Sequence, residues 1–290
     1  MKKTLKYISS NAFKTKHLKI LINQANECNF NIEFSGGLKY SNNYKKIIQG
    51  LNTNKCFHNY FPIPKKSFAL NLGSNNKKIL NMSINHCKKA IKVSHELKLK
   101  YFSFHTPFCV DPGHLRLSKS FPTSNIQDYN ETLDIFKNSL FKLVEYNNSF
   151  ESKLKLLIEN NVCSAIHIAP MKLKKKIFTF TDSTDFLDLF EDVFFKKNIS
   201  ILLDFAHLQV SSSILNFDKI FHLNKIKTQI LGAHLSLPKK NIDNNNKIKS
   251  NTWFLKYLQK LSNLEYISLE VFNLEINEIK EQMKLVDKWI

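Results

Sequence analysis

Apolar residues along this chain fall into short runs rich in branched and aromatic side chains. These runs alternate with longer stretches whose apolar positions return at helical spacing. The short runs predict buried strands over residues 5–9, 30–34, 55–60, 101–105, 155–160, 200–204, 229–234 and 266–270. The periodic stretches predict helices over residues 16–27, 44–49, 78–98, 125–146, 185–195, 218–223, 251–261 and from 276 onward. In the helix over 78–98, Leu80, Ile84, Cys87, Ile91 and His95 keep near one face. In the last helix the stripe is Ile276, Ile279, Met283, Val286 and Ile290. Punctuation agrees with these boundaries. Gly36-Gly37 closes the second strand, Phe61-Pro62-Ile63-Pro64 must leave the third, and Pro107 stops the fourth. Ser183 and Thr184 are capping residues ahead of residue 185, and residues 111–123 form a proline-containing loop.

Eight alternations of strand and helix call for a parallel sheet. For 290 residues the economical closure is an α/β fold of the (β/α)8 TIM barrel type, one domain spanning residues 1–290. An open doubly wound sheet is the alternative, weakened because no G-x-G-x-x-G turn follows the first strand.

Composition narrows the picture. A hydrophobic content of 43% supports a substantial core. No apolar run approaches the ~18 residues that would span a bilayer, so no membrane partner is expected. The basic opening Met1-Lys-Lys has no long apolar stretch behind it, which reads against a secretory signal. Cys28, Cys56, Cys87, Cys109 and Cys163 are odd in number, scattered and free of C-x-x-C pairs. That argues against a disulfide framework and for a reducing, cytoplasmic location. The net charge of +19 invites a nucleic-acid partner, but Arg116 is the only arginine, and base readout and bidentate phosphate clamps favour arginine. The richness in Lys, Asn and Ile reads as compositional bias, so the charge is not taken as a sign of nucleic-acid binding.

The candidate chemistry lies at the strand ends, where barrels of this kind place it. The stretch S-I-L-L-D-F-A-H-L-Q-V ends an apolar run in Asp204 and follows with His207. One reading is a carboxylate fixed by the strand with an imidazole brought back over it by a loop; the other is an Asp that caps the next helix. The remaining strand ends supply Glu33, His58, His105, Glu159, His234 and Glu270. A carboxylate closing an apolar run is costly unless paired or bound to metal. Glu159, Asp204, His234 and Glu270, from four consecutive strands, converge on one axial point if the barrel closes. Such a set suits one divalent ion of the Mn, Mg, Co or Zn kind and not a thiolate site. The bland alternatives are solvent-exposed strand ends for Glu159 and Glu270 and satisfied, half-buried imidazoles for His58 and His105. His17, His86, His95 and His222 read as surface or packing residues, His114 and His167 as loop residues over the same end, and Asp243 as a turn residue among asparagines.

The order Glu159, Asp204-x-x-His207, His234, Glu270 resembles the xylose-isomerase-like barrel superfamily, which holds sugar-phosphate isomerases and epimerases and the endonuclease IV family. The resemblance runs from Leu5 to the final helix. In the isomerase and epimerase branch it implies that those four residues hold one divalent metal and that Glu159 and Glu270 are catalytic. The two glutamates would exchange protons with a substrate carbon through a metal-stabilised enediolate. It implies substrate binding by His207. His58, His105, Asn160 and Glu33 are the further substrate-binding candidates. Tyr60, Phe61 and Phe108 are candidates for an apolar floor, and Lys239 and Lys240 for neutralising a phosphate. The implied partner is a sugar or sugar phosphate, with a homo-oligomer left open. The endonuclease branch, a phosphodiester hydrolase, matches His58 and His105 as additional ligands. It also needs an Asp-x-His pair after the seventh strand, and the loop L-S-L-P-K-K-N-I-D-N-N-N offers Asp243 without that histidine. A catalytically silent sugar- or metal-binding barrel is the third reading, opposed by the intact Glu159 and Glu270.

Overall fold

The computed structural model describes residues 4–111, 125–168 and 177–290, with the backbone alone at 167 and 168. Eight parallel strands close into a barrel: β1 Leu5–Ser9, β2 Asn31–Phe34, β3 Lys55–His58, β4 Tyr101–His105, β5 Lys155–Glu159, β6 Ile199–Asp204, β7 Ile230–Leu235 and, last in the chain, Tyr266–Leu269. An antiparallel hairpin, β8 Leu237–Lys239 and β9 Ile242–Asn246, leaves the top of β7, which makes the closing barrel strand β10. β10 pairs with both β1 and β7, so no edge remains open. Helices run between the strands on the outside, where Leu21, Ile91, Phe136, Leu140 and Ile279 pack against the outward faces of the strands in one continuous apolar core.

Strand pleat decides which residues enter the barrel. Alternate side chains face inward, so Tyr101, Ser103 and His105 of β4 share one face, as do Leu157 and Glu159, Leu202 and Asp204, and Tyr266 and Ser268. The lowest inward layer is apolar: Tyr7, Cys56, Tyr101, Leu157, Leu202 and Tyr266 form a separate buried cluster. Its rings are packed closely, with Tyr101 and Tyr266 centroids 4.5 Å apart. Gly232 makes room for them; a Cβ there would meet the Tyr266 ring at 2.5 Å. Tyr101 donates its hydroxyl to Glu265 at 2.8 Å, which satisfies the polar end of the ring at the barrel bottom. The barrel is thus plugged below, and the pleat delivers the ionisable residues to the top.

Departures from the predicted elements have local causes. The helix predicted over 185–195 is two helices, Thr184–Glu191 and Val193–Asn198. Asp192 between them is extended and accepts from the Phe194 amide at 2.8 Å, ending one helix and capping the next. The helix predicted over 251–261 is reduced to Leu255–Leu258, flanked by four-residue turns such as the one closed by Lys260 N to Tyr257 O, 2.9 Å. Phe205–Leu215 is a helix, so of the two readings of the stretch after Asp204 the helix and not the loop carries His207, and the β8–β9 hairpin replaces expected turns. The other boundaries move by a few residues: the helices are Leu18–Glu27, Lys77–Glu96, Tyr129–Asn148 and Lys219–Ile226, and β3 stops at His58. Most of the loop predicted over 111–123, His114 and Arg116 with it, lies outside the described residues. No helix among the described residues is long and apolar enough to cross a membrane.

Candidate metal centre

β5, β6, β7 and the residue after β10 bring Glu159, Asp204, His234 and Glu270 together, with one donor atom of each lying within 4.8 Å of every other. His234 is central. Its Nδ1 lies 3.0 Å from Glu159 Oε1, 2.9 Å from Glu270 Oε2 and 3.9 Å from Asp204 Oδ2. A second group, His58, His105 and Glu159, meets the same distance limit. There Glu159 Oε2 lies 3.3 Å from His58 Nε2 and 3.2 Å from His105 Nδ1. Glu159 therefore presents one oxygen to each group.

The sequence builds this placement through backbone contacts as well as side chains. Asp204 is both the end of β6 and the N-cap of helix Phe205–Leu215, its Oδ1 accepting from the His207 amide at 2.7 Å. The cap leaves Oδ2 buried, aimed at the cluster and without a hydrogen bond among the described residues. His207 stands in the first helical turn, where its Nδ1 lies 2.8 Å from the Asn160 carbonyl. Asn160 clamps β5 to β6: its Oδ1 accepts from Asp204 N at 2.7 Å and its Nδ2 donates to Asp204 O at 3.1 Å. The sequence suggests substrate contact for Asn160; both ends of its carboxamide are instead committed to holding Asp204. Glu33, a candidate for the same role, is fully buried under the cluster, with Oε1 2.8 Å from His234 Nε2.

Above these groups opens a cavity of about 630 Å³. His58, His105, His207 and Glu270 reach its wall, as do Tyr60 and Phe108, whereas Phe61 belongs to the core. Asp243, a turn residue by its sequence setting, lies on β9 and lines the cavity with Oδ2 3.2 Å from His207 Nε2. Lys239 and Lys240 are exposed on the hairpin and line no part of the cavity. His86 and His95 are buried packing residues; His95 stacks on Phe150 with centroids 4.2 Å apart. His222 bonds Ser183, and at His167 only the backbone, in the turn Ala165–Ile168, is described.

Electrostatics follow from this crowding. Burial pushes the Glu159 carboxyl up, but the imidazoles of His105, His234 and His58 together outweigh it and hold the group well below the usual carboxylate range. Glu270 is drawn down in the same way by His234, against burial. At Asp204 burial prevails over His207, and Asp243, Glu159 and Glu270 add like charge, so its carboxyl is pushed up to about 7. Burial opposes protonation of His207 and His234, yet the surrounding carboxylates raise both well above the ordinary histidine value. His105 goes the other way, to about 4, because its burial outweighs the pull of Glu159.

The donor set fits a hard or borderline divalent cation: carboxylates and imidazoles, no thiolate among the ligating atoms. Glu159 Oε2, Asp204 Oδ2 and His105 Nδ1 are buried with no hydrogen-bond partner among the described residues. Such atoms are costly to leave unpaired, and a cation among them would supply the missing interaction.

The chain is a closed (β/α)8 barrel with carboxylates and imidazoles gathered at its C-terminal strand ends, and it shares that fold with solved structures along nearly its whole length. No protein-family model and no curated protein matches the sequence. Among solved structures, the chain is similar to a D-tagatose 3-epimerase-like protein, with TM-score 0.70 and 19% identity over 98% of this chain and 99% of that one. It is similar to the D-allulose 3-epimerase from Methylomonas sp. in complex with D-allulose, with TM-score 0.64 and 12% identity over 100% and 98% of the two chains. It is also similar to endonuclease IV from Thermus thermophilus, with TM-score 0.60 and 12% identity over 98% of each chain.

Proposed function

We propose that the protein is a divalent-metal-dependent isomerase or epimerase of a sugar or sugar phosphate. The observation that carries this reading is the convergence of Glu159, Asp204, His234 and Glu270 beneath a cavity whose wall Glu270 reaches. One divalent ion held by these four residues would polarise a ketose carbonyl and its neighbouring hydroxyl, acidifying the adjacent C–H. Glu270, ionised and facing the cavity, takes or returns that proton; Glu159, held ionised by three imidazoles, serves as its counterpart. His58, His105 and His207 reach the cavity wall, and we assign them to substrate hydroxyls and to charge developing on oxygen, in exchange for the protein contacts their rings make here. Asn160 and Glu33 position Asp204 and His234 and do not touch substrate. The similarity to epimerases, one of them bound to D-allulose, supports the substrate class. The test is solvent deuterium incorporation at the carbon beside the carbonyl, screened over ketoses and their phosphates with Mn²⁺ present. The wild type exchanges and Glu270→Gln does not; exchange at the wild-type rate by that variant overturns the two-glutamate mechanism.

A second reading, a phosphodiester hydrolase of the endonuclease IV type, is favoured by one observation: the group His58, His105 and Glu159, which shares its carboxylate with the first. Asn245, two positions beyond Asp243, stands where the Asp-x-His pair of that family would need an imidazole. Incision of abasic-site DNA by the purified protein would establish this reading in place of the first.

A further inference from the structure

The cavity has a second wall, opposite in chemistry to the ionisable cluster. Asn11 and Lys16 after β1, Gly36 and Gly37 after β2, and Asn273 after β10 line it. In a chain with 43 basic residues, Lys16 is the only lysine among the described residues that reaches this cavity. Its partners set it apart from its neighbour. The Lys14 ammonium is paired with Glu275 at the surface. Lys16 is half-buried, its ammonium meets only the Phe13 carbonyl, at 3.3 Å, and it makes no ion pair among the described residues. Burial has drawn its pKa below the ordinary lysine value, the mark of a cation that has given up water without gaining an anion.

The wall beside it is bare backbone. Gly37 has φ +85°, a conformation that favours glycine, and its Cα faces the Asn11 carboxamide, whose Oδ1 would lie 2.6 Å from a Cβ there. The amides of Gly36 and Gly37 donate to no protein group among the described residues, and the side chains of Asn11 and Asn273 make no hydrogen bond there. A cation, two adjacent free amides and two carboxamides are the components of an anion cradle. The carboxylates of Glu270 and Asp243 line the same cavity and repel an anion from their own part of it.

We infer that Lys16, the Gly36–Gly37 backbone, Asn11 and Asn273 form a phosphate subsite, so that the substrate is a phosphorylated sugar. It would lie with its ester phosphate on this wall and its carbonyl carbon toward Glu270. The choice of sugar rests on the isomerase or epimerase reading; the subsite itself does not. A tetrahedral dianion uses several donors at once and is repelled by the carboxylates, which fixes the direction in which the substrate enters.

Two measurements test the subsite. In the wild type, inorganic phosphate slows acetylation of Lys16 but not of Lys14, as read by peptide mass spectrometry. Equal rates with and without phosphate at Lys16 overturn the inference. In turnover, Lys16→Met raises the KM for ketose phosphates by about 10- to 100-fold, the loss of one charge-assisted contact. The loss falls on KM and not on kcat, is absent for unphosphorylated ketoses, and is mostly restored by Lys16→Arg. A Lys16→Met enzyme that handles ketose phosphates as the wild type does also overturns it. If no ketose exchanges deuterium yet phosphate still protects Lys16, the proposed reaction fails and the phosphate subsite stands.

Discussion

Glu33 Oε1 lies 2.8 Å from Nε2 of His234, on the side of the ring away from Glu159 and Glu270. Both residues are fully buried. The carboxylate thus fixes a proton on Nε2 and turns Nδ1 toward the other carboxylates. Metal-ligating imidazoles are oriented in this way by an acceptor on their far nitrogen, and losing it costs about 10- to 100-fold in metal affinity. Glu33→Leu is therefore expected to weaken divalent-metal binding by that amount in a calorimetric titration, while Glu33→Gln, which keeps an acceptor oxygen, loses less. Unchanged affinity in Glu33→Leu would leave Glu33 with a packing role only.

The two donor groups meet at Glu159, and they make different predictions about metal content. Under the isomerase reading the tightly held ion belongs to Glu159, Asp204, His234 and Glu270, and His58 and His105 serve substrate. Purified protein is then expected to carry one equivalent, and His58→Ala or His105→Ala keeps that equivalent while lowering kcat/KM by roughly 10- to 100-fold. Two equivalents in the wild type, falling to one in either variant, would transfer those histidines to the metal and favour the hydrolase. Elemental analysis after dialysis gives the count.

The barrel is legible in the sequence because its strands carry the strongest local signal, apolar runs that end at an ionisable residue. Glu159, Asp204, His234 and Glu270 are expected at strand ends and are found there, within a residue of the predicted boundary. Asp204 proves to be both of the things weighed for it: one oxygen caps a helix and the other faces the cluster. The helix it caps is hard to see because Phe205–Leu215 is buried on most sides, with Phe205, Leu208, Val210 and Ser211 all inside. Without a polar face there is no helical periodicity to see. The β8–β9 hairpin is hidden for the opposite reason. Its second strand, I-D-N-N-N, carries residues of low strand propensity, and only tertiary pairing makes it extended. The place of Asp243 on the cavity wall is hidden with it. Nor can spacing reveal that Asn160 and Glu33 face protein groups and not the cavity, because that depends on which neighbour each finds across the barrel.

His86 provides a pH prediction away from the metal cluster. Its ring lies in a buried pocket with Tyr60 and Phe68, with Nε2 3.3 Å from the carbonyl of Asn59. Asn59 has φ +46° and begins the loop that carries Tyr60 to the cavity wall. Burial, aided by nearby Lys89 and only partly offset by the Asn59 carbonyl, lowers the His86 pKa to about 4. The ordinary value, which the unfolded chain would show, is ~6.5. Between those two values the unfolded state binds the extra proton, so stability falls as pH drops from ~6.5 toward about 4 and is unaffected by this residue above that window. A difference of ~2.5 units corresponds to about 3 kcal/mol. His86→Gln, which retains an N–H donor but does not titrate, is expected to lose that much less stability than the wild type between pH 7 and pH 4, measured by urea unfolding at each pH. Parallel acid profiles for the two proteins would show that His86 is not held neutral by its pocket, and the anchoring of the Asn59 loop would then have to come from the backbone bond of Asn59 N to Ser103 O, 2.7 Å long.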